Sequence, residues 1–218
     1  MSETASLSVR GSATQEIQPD FAFIAVEVSG RSPEQQTALS VARNTLETLR
    51  AGLAAARGVR RSEFSTVGVH EYSRWDEAVQ ANVAGGWLAS VWGYVDAEVE
   101  AVGSLVAVVT EAGAQVSSLD WRLDADNPAQ REVRRAAVAD AARAAEDFAT
   151  ALGRSVGDLI TLADPGLLGG QVVAVGRGLA GARSMAATGG HQADFEIDLD
   201  PRPVTVQAYV EARYKFAD

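Results

Sequence analysis

The sequence predicts an α+β fold, a largely antiparallel sheet with its helices packed on one face. Three observations predict it. Period-two apolar alternation recurs along the chain, most clearly in Phe21 to Val28 and Val204 to Phe216. Two long segments, 33–56 and 128–152, instead space their apolar residues by threes and fours, the mark of a helix with one buried stripe. Strands and helices follow one another without a dividing linker or a close repeat, so the helices must cover the sheet.

Residues 5–14 alternate Leu7 and Val9 before Gly11, a short first strand. Pro19-Asp20 is a turn signal. In the second strand, Phe21, Phe23 and Ala25 share one face, and Ala22, Ile24, Val26 and Val28 the other. Ser32-Pro33-Glu34-Gln35 opens a helix, with Ser32 as cap, Pro33 in the first helical position and Gln35 completing a capping box. Its seam is Leu39, Ala42, Leu46, Leu49, Leu53 and Ala56. A seam of about two and a half heptads is short for a coiled coil, so packing on the sheet is expected. Gly58 ends the helix.

Phe64, Thr66, Val67 and Val69 suggest a third strand, and the polar stretch Tyr72 to Gly85 an irregular hairpin loop. Trp87 to Val99 is a fourth strand, with Val91, Gly93, Val95, Ala97 and Val99 on one face. A short helix, Leu105 to Ala112, stops at Gly113, and Val116 to Leu123 is a fifth strand. Asn127 caps a long helix that begins at Pro128 and runs to Leu152. Its expected buried stripe is Val133, Ala137, Ala141, Ala144, Phe148 and Leu152, and Gly153 stops it. Val156 to Ala163 is a sixth strand. A Gly-rich excursion occupies about 165–200. The last strand then turns Val204, Val206, Ala208, Val210, Ala212 and Tyr214 to one face. The order is ββαββαβαβ-β, and its middle portion is the split βαβ arrangement of ferredoxin-like folds.

Composition excludes several functions. The chain has 218 residues, one large domain or two small ones, and at this size it can bury roughly 70% of its unfolded surface. It has no Cys, hence no thiol nucleophile, redox pair or thiolate metal site. The formal net charge of −10 lacks the electrostatic footprint of a nucleic-acid binder and is repelled by anionic membranes. The N-terminus, Met1-Ser-Glu-Thr-Ala-Ser-Leu7, has neither a basic nor an apolar leader region, and no stretch reaches the roughly 18 apolar residues of a membrane span. A cytoplasmic protein is expected.

Several segments together resemble the SIMPL-domain family. Val9-Arg-Gly-Ser followed by Pro19-Asp20-Phe-Ala is similar to that family's opening "GxG…PD.A", with Ala13 where the second glycine would stand. Glu63-Phe-Ser-Thr66 resembles its "I-x-T" strand, and Gly86-Trp87-Leu-Ala-Ser90 its "GYxAS". Arg134 to Glu146, with Ala151-Leu-Gly153 and Gly157, resembles its long helix and "ALG…G" exit, and Val204 to Val210 its final strand. The resemblance covers nearly the whole chain, so 1–218 is expected to be a single SIMPL-like domain with the excursion at about 165–200. It implies an α+β fold, no established catalytic residues and homo-oligomeric assembly. Many bacterial members are exported. The polar tip Arg74-Trp75-Asp76-Glu77 matches no family motif.

Three constellations could carry chemistry. Gly176-Arg-Gly178-Leu-Ala-Gly181 follows an apolar run, as in a dinucleotide site, but only about two helical turns separate it from Gly189-Gly190, and 37 residues remain after it. A flexible Gly-rich connection is expected instead. Asp194, Glu196, Asp198 and Asp200 would share one strand face, as a solvated edge, as a surface docking onto basic residues such as Arg131, Arg134 and Arg135, or as a set of hard cation ligands. His70 and His191 lack an i, i+4 partner, and surface positions are expected for both. No Gly-x-Ser-x-Gly elbow occurs. No catalytic, cofactor-binding or metal residue is therefore assigned, and no cofactor is expected.

Of the four tryptophans, Trp75, Trp87, Trp92 and Trp121, the pair Trp87 and Trp92 should point to opposite faces of their strand. Trp92, Tyr94 and Tyr209 are out of phase with their strands' apolar sets, which makes them candidates for a second, partner-facing surface. The sequence thus leads us to expect a non-enzymatic protein-binding or scaffold protein that forms a homo-oligomer. The alternative is a ligand-binding protein or enzyme whose pocket the Gly-rich segment forms against the sheet.

Overall fold

The computed structural model describes residues 5–167 and 199–217. The Gly176 to Gly181 motif, His191, Asp194, Glu196 and Asp198 lie outside the described residues. The fold is α+β. Its elements are β1 (Ser6–Ile17), β2 (Phe21–Ser32), α1 (Gln35–Ala55), β3 (Val59–Asp76), β4 (Ala81–Ala97), a 3-10 turn (Val99–Ala101), α2 (Val102–Glu111), β5 (Gln115–Arg122), α3 (Pro128–Ala151), β6 (Ser155–Ala163) and β7 (Val204–Ala217). The described residues divide into two compact units, one of residues 18–124 and 199–204, the other of residues 5–17, 125–167 and 205–217.

In the first unit the sheet order is β3-β4-β2-β5, with every neighbouring pair antiparallel. Strand β4 lies between β2 and β3, which therefore run the same way, as the split βαβ pattern requires. The strand alternation decides what is buried. Ala22, Ile24, Val26 and Val28 of β2 are all buried, as are Val91, Val95 and Ala97 of β4. Leu49 and Leu53 of α1 and Val102, Leu105 and Val109 of α2 pack into the same cluster, so both helices lie on one face. Full burial of a Leu or Ile side chain contributes roughly 1.5–3 kcal/mol, and Ile24, Leu49 and Leu105 are fully buried.

Two local expectations are corrected here. Helix α1 starts two residues later than the capping box implies. Its N-cap is Glu34, whose side chain makes no cap hydrogen bond, and the Ser32 hydroxyl instead accepts from the Glu34 N–H at 3.2 Å. The stretch Tyr72 to Gly85 is not an irregular loop. The strands β3 and β4 stay paired through it, from Tyr72↔Gly86 across a bulge at Tyr72/Ser73 to Asp76↔Ala81, and only Glu77 to Gln80 turn. Pairing of β2 with β4 ends at Ser32↔Trp87, so this end of the hairpin has no third strand beside it among the described residues. With no core to face it, the segment had no apolar alternation to reveal it as strand.

The second unit is a three-stranded sheet in the order β1-β7-β6, with β6 and β7 antiparallel and α3 against it. Asn127 caps α3 as expected, its side chain accepting the Ala129 N–H at 2.9 Å, with Pro128 in the first position. The buried stripe differs from the expected one. It is Ala129, Val133, Ala137, Ala141, Ala145 and Ala149, and Phe148 and Leu152 are exposed at 57% and 65%. A stripe of small residues lets the helix lie close to the strand beneath it, and that closeness leaves no room for Phe148 on the buried side.

Candidate interaction surface

The face of the four-stranded sheet opposite its helices is built by the residues that alternate with the core. In β2 these are Phe21, Phe23, Ala25 and Glu27, and in β4 they are Trp92, Tyr94 and Asp96. Strand pairing sets them in rows. Phe23 stands opposite Asp96 on one side and Asp120 on the other, and Glu27 stands opposite Trp92.

Four side chains on this face form a ladder with one member from each strand, in sheet order. The Arg122 guanidinium of β5 lies 3.6 Å from the centroid of the Phe23 ring. Phe23 stacks on Tyr94 of β4, with centroids 5.1 Å apart and planes 23° apart. The Arg61 guanidinium of β3 lies 5.6 Å from the Tyr94 ring. The aromatic pair is thus held between two cations, each attracted to a ring face.

Glu63 ties the β3 end. One carboxylate oxygen accepts the Tyr94 hydroxyl at 2.9 Å and pairs with Arg61 at 2.9 Å. The carboxylate raises the Tyr94 pKa above its ordinary value, chiefly by accepting that hydroxyl proton. Desolvation adds to the rise and the Arg61 charge opposes it. Trp92 remains 46% exposed beside the ladder. Trp87 instead packs with Ala38, Ala42 and Ala89 under α1, so the two tryptophans do point to opposite faces. In the second unit, Tyr209 is 45% exposed and its hydroxyl donates to Gln207 at 3.1 Å.

The Pro19-Asp20 turn has a structural task in the same unit. Asp20 accepts the Asp124 N–H at 2.8 Å, and its own N–H donates to the Arg122 carbonyl at 2.9 Å. Arg60 holds Asp124 through both carboxylate oxygens, at 2.8 and 3.0 Å, and donates to the Asp20 carbonyl. The start of β2 is thereby fastened to the end of β5 with the base of β3.

The sequence matches one family model over residues 7–214, nearly its whole length: SIMPL, described as a protein of unknown function (DUF541). The chain belongs to the SIMPL family. No curated protein matches it.

Among the described residues, the others singled out in this SIMPL protein form no common site. His70 is exposed on β3, and Trp75 is 60% exposed near the hairpin turn. Of the alternating acids only Asp200 is among the described residues. No group of three or more His, Asp or Glu side chains placed to hold a metal occurs among the described residues. No helix among them is long and apolar enough to cross a membrane. The cation-flanked aromatic ladder was half visible in the sequence. Phe23 and Tyr94 announce themselves by their phase, whereas the placing of Arg61 and Arg122 at its ends depends on register.

Proposed function

We propose that this SIMPL protein works by binding proteins, including copies of itself, rather than by catalysing a reaction, and that the open face of its four-stranded sheet is the self-association surface. The observation that carries the reading is Trp92, 46% exposed beside the Phe23–Tyr94 stack. Large aromatics flanked by Arg are the residue types that dominate binding energy at protein interfaces. Burying such a face against its own copy needs one self-complementary patch and closes a symmetric dimer. Asp120 lies 3.8 Å from Arg122, Asp96 stands opposite Arg61, and Glu27 shares their face, so charges of both signs are available across a two-fold contact.

Sedimentation at low and high salt tests the reading. The expected result is an assembly that salt strengthens or leaves unchanged, because a net charge of −10 per subunit opposes association at long range. Trp92→Glu should shift it to monomer without lowering the unfolding midpoint. A monomeric wild type at both salt concentrations sinks the reading.

A further inference from the structure

We propose that the cleft between α1 and β3 is a peptide-binding groove. Its occupant is an extended acidic segment of a partner protein, apolar at every second position, that adds as a strand to the outer edge of β3. This rests on the reading of the chain as a protein-binding module and names the partner's chemistry. It concerns the helix side of the sheet, not the open aromatic face.

Three independent features meet at this cleft. The first is an available edge. Strand β3 is the terminal strand of its sheet, so its outer row of N–H and C=O groups has no partner strand among the described residues. Such an edge is a template for an added strand. Bulges interrupt β3 at Phe64/Thr66 and again at Tyr72/Ser73, but the stretch between them keeps regular register, long enough for a short peptide.

The second feature is an apolar floor beside that edge. A cavity of about 440 Å³ opens between α1 and β3, floored by Leu39, Leu46, Val67 and Val91. A second, of about 340 Å³, lies beside the C-terminal half of α1, where Leu53, Val59 and Phe64 line it. Val67 lies in the regular stretch and is 61% exposed, a large apolar side chain facing an open cleft. In an added strand every second side chain points to the helix side, so apolar residues at that period would fill the floor.

The third feature is charge. Arg43 lines the first cavity and Arg50 the second. They are seven residues apart and therefore on one face of α1, roughly 10 Å apart along its axis. Neither is in an ion pair among the described residues. Glu47 lies between them in sequence but lines neither cavity. In a chain of net charge −10, this wall is locally of the opposite sign and selects an acidic segment.

The test is fluorescence anisotropy on the full chain with a labelled synthetic peptide, acetyl-Glu-Val-Asp-Leu-Glu-Val-Asp. Saturable binding that weakens with added salt is expected. The variants Arg43→Glu and Arg50→Glu, both exposed and off the core, should each weaken it by about tenfold or more. Val67→Asp should do the same, and a peptide N-methylated at alternate residues should not bind, since it cannot extend a strand. Each variant is checked by its unfolding midpoint and by sedimentation, where the wild-type assembly should persist. The proposal is overturned by no binding, by equal binding of a peptide with Lys in place of each acid, or by affinity indifferent to Arg43→Glu and Val67→Asp. Loss of peptide binding with assembly intact would remove the groove and leave the open-face reading standing.

Discussion

Gly11 and Ala141 meet backbone to backbone. A methyl group on Gly11 of β1 would overlap the amide nitrogen of Ala141 and the carbonyl oxygen of Ala137 in α3. The other unit repeats the relationship, since a methyl group on Gly30 of β2 would overlap the Ala38 carbonyl and crowd the Ala42 nitrogen in α1. In each unit a helix with Ala at i and i+4 is pressed onto a strand at the one point where the strand has no side chain. The atoms in the way are helix backbone, so they cannot rotate aside.

Gly11→Ala should therefore destabilise the protein by about 1–3 kcal/mol, the range for overpacking a well-packed site, and Gly30→Ala by a similar amount. Denaturant unfolding measures both. A midpoint equal to wild type for either variant would mean that its helix can lift off the strand without loss.

Phe148→Ala provides the contrast. Phe148 is 57% exposed on α3, away from the Ala129 to Ala149 stripe. Replacing it should change stability by no more than about 0.5 kcal/mol, and the better helix propensity of Ala works in its favour. A loss of several kcal/mol in the same unfolding experiment would put Phe148 back in a core.

The α3 stripe also shows where sequence reading stops. Spacings of four and of three–four both describe one helix face, and large apolar residues attract the buried assignment. Gly11 was the missing signal, because a bare strand position calls for a small partner opposite it. The Asn127 cap of α3, the strand phases of β2, β4 and β7, and the α+β class were legible, because each depends on nearby residues. The division of the strands between two sheets was not, since periodicity says nothing about which strand pairs with which. The far half of the β3–β4 hairpin was hidden for a different reason. Solvent on both faces removes the alternation that marks a strand. The ladder needed the register that places Arg61 and Arg122 beside aromatics on other strands.

In the second unit, Asp140 accepts the Ser12 N–H at 2.9 Å and a hydrogen bond from Arg143 at 3.3 Å. Both favour the charged carboxylate and hold its pKa below the ordinary value, the backbone donor being the larger cause. The folded state thus binds this proton less readily than the unfolded chain. The stabilisation is present above the unfolded carboxylate value and fades as pH falls through the folded one. Asp140→Asn should flatten the acid limb of the stability–pH curve, with its effect confined to the region above that limb. An acid limb identical to wild type would show that the Ser12 contact does not discriminate charge.

Tyr94 titrates in the opposite sense. Its hydroxyl donates to Glu63, and the carboxylate favours the neutral phenol, so the folded pKa is raised above 10.0. The contribution to stability is present below the unfolded value and is lost as pH rises through the folded one. Glu63→Gln removes the charged acceptor while keeping a side-chain oxygen and the size, and it also frees Arg61 from its 2.9 Å pair. The Arg61 charge favours the phenolate, so every change in this variant lowers the Tyr94 pKa. Ultraviolet difference titration should show one tyrosine ionising earlier in Glu63→Gln than in wild type. Arg61→Gln should move the same tyrosine the other way, since it removes the cation and leaves the carboxylate. Opposite shifts from two neighbours on one strand require both to be at the Tyr94 end of the ladder. If neither substitution moves any tyrosine, the β3 end of the ladder is not formed in solution.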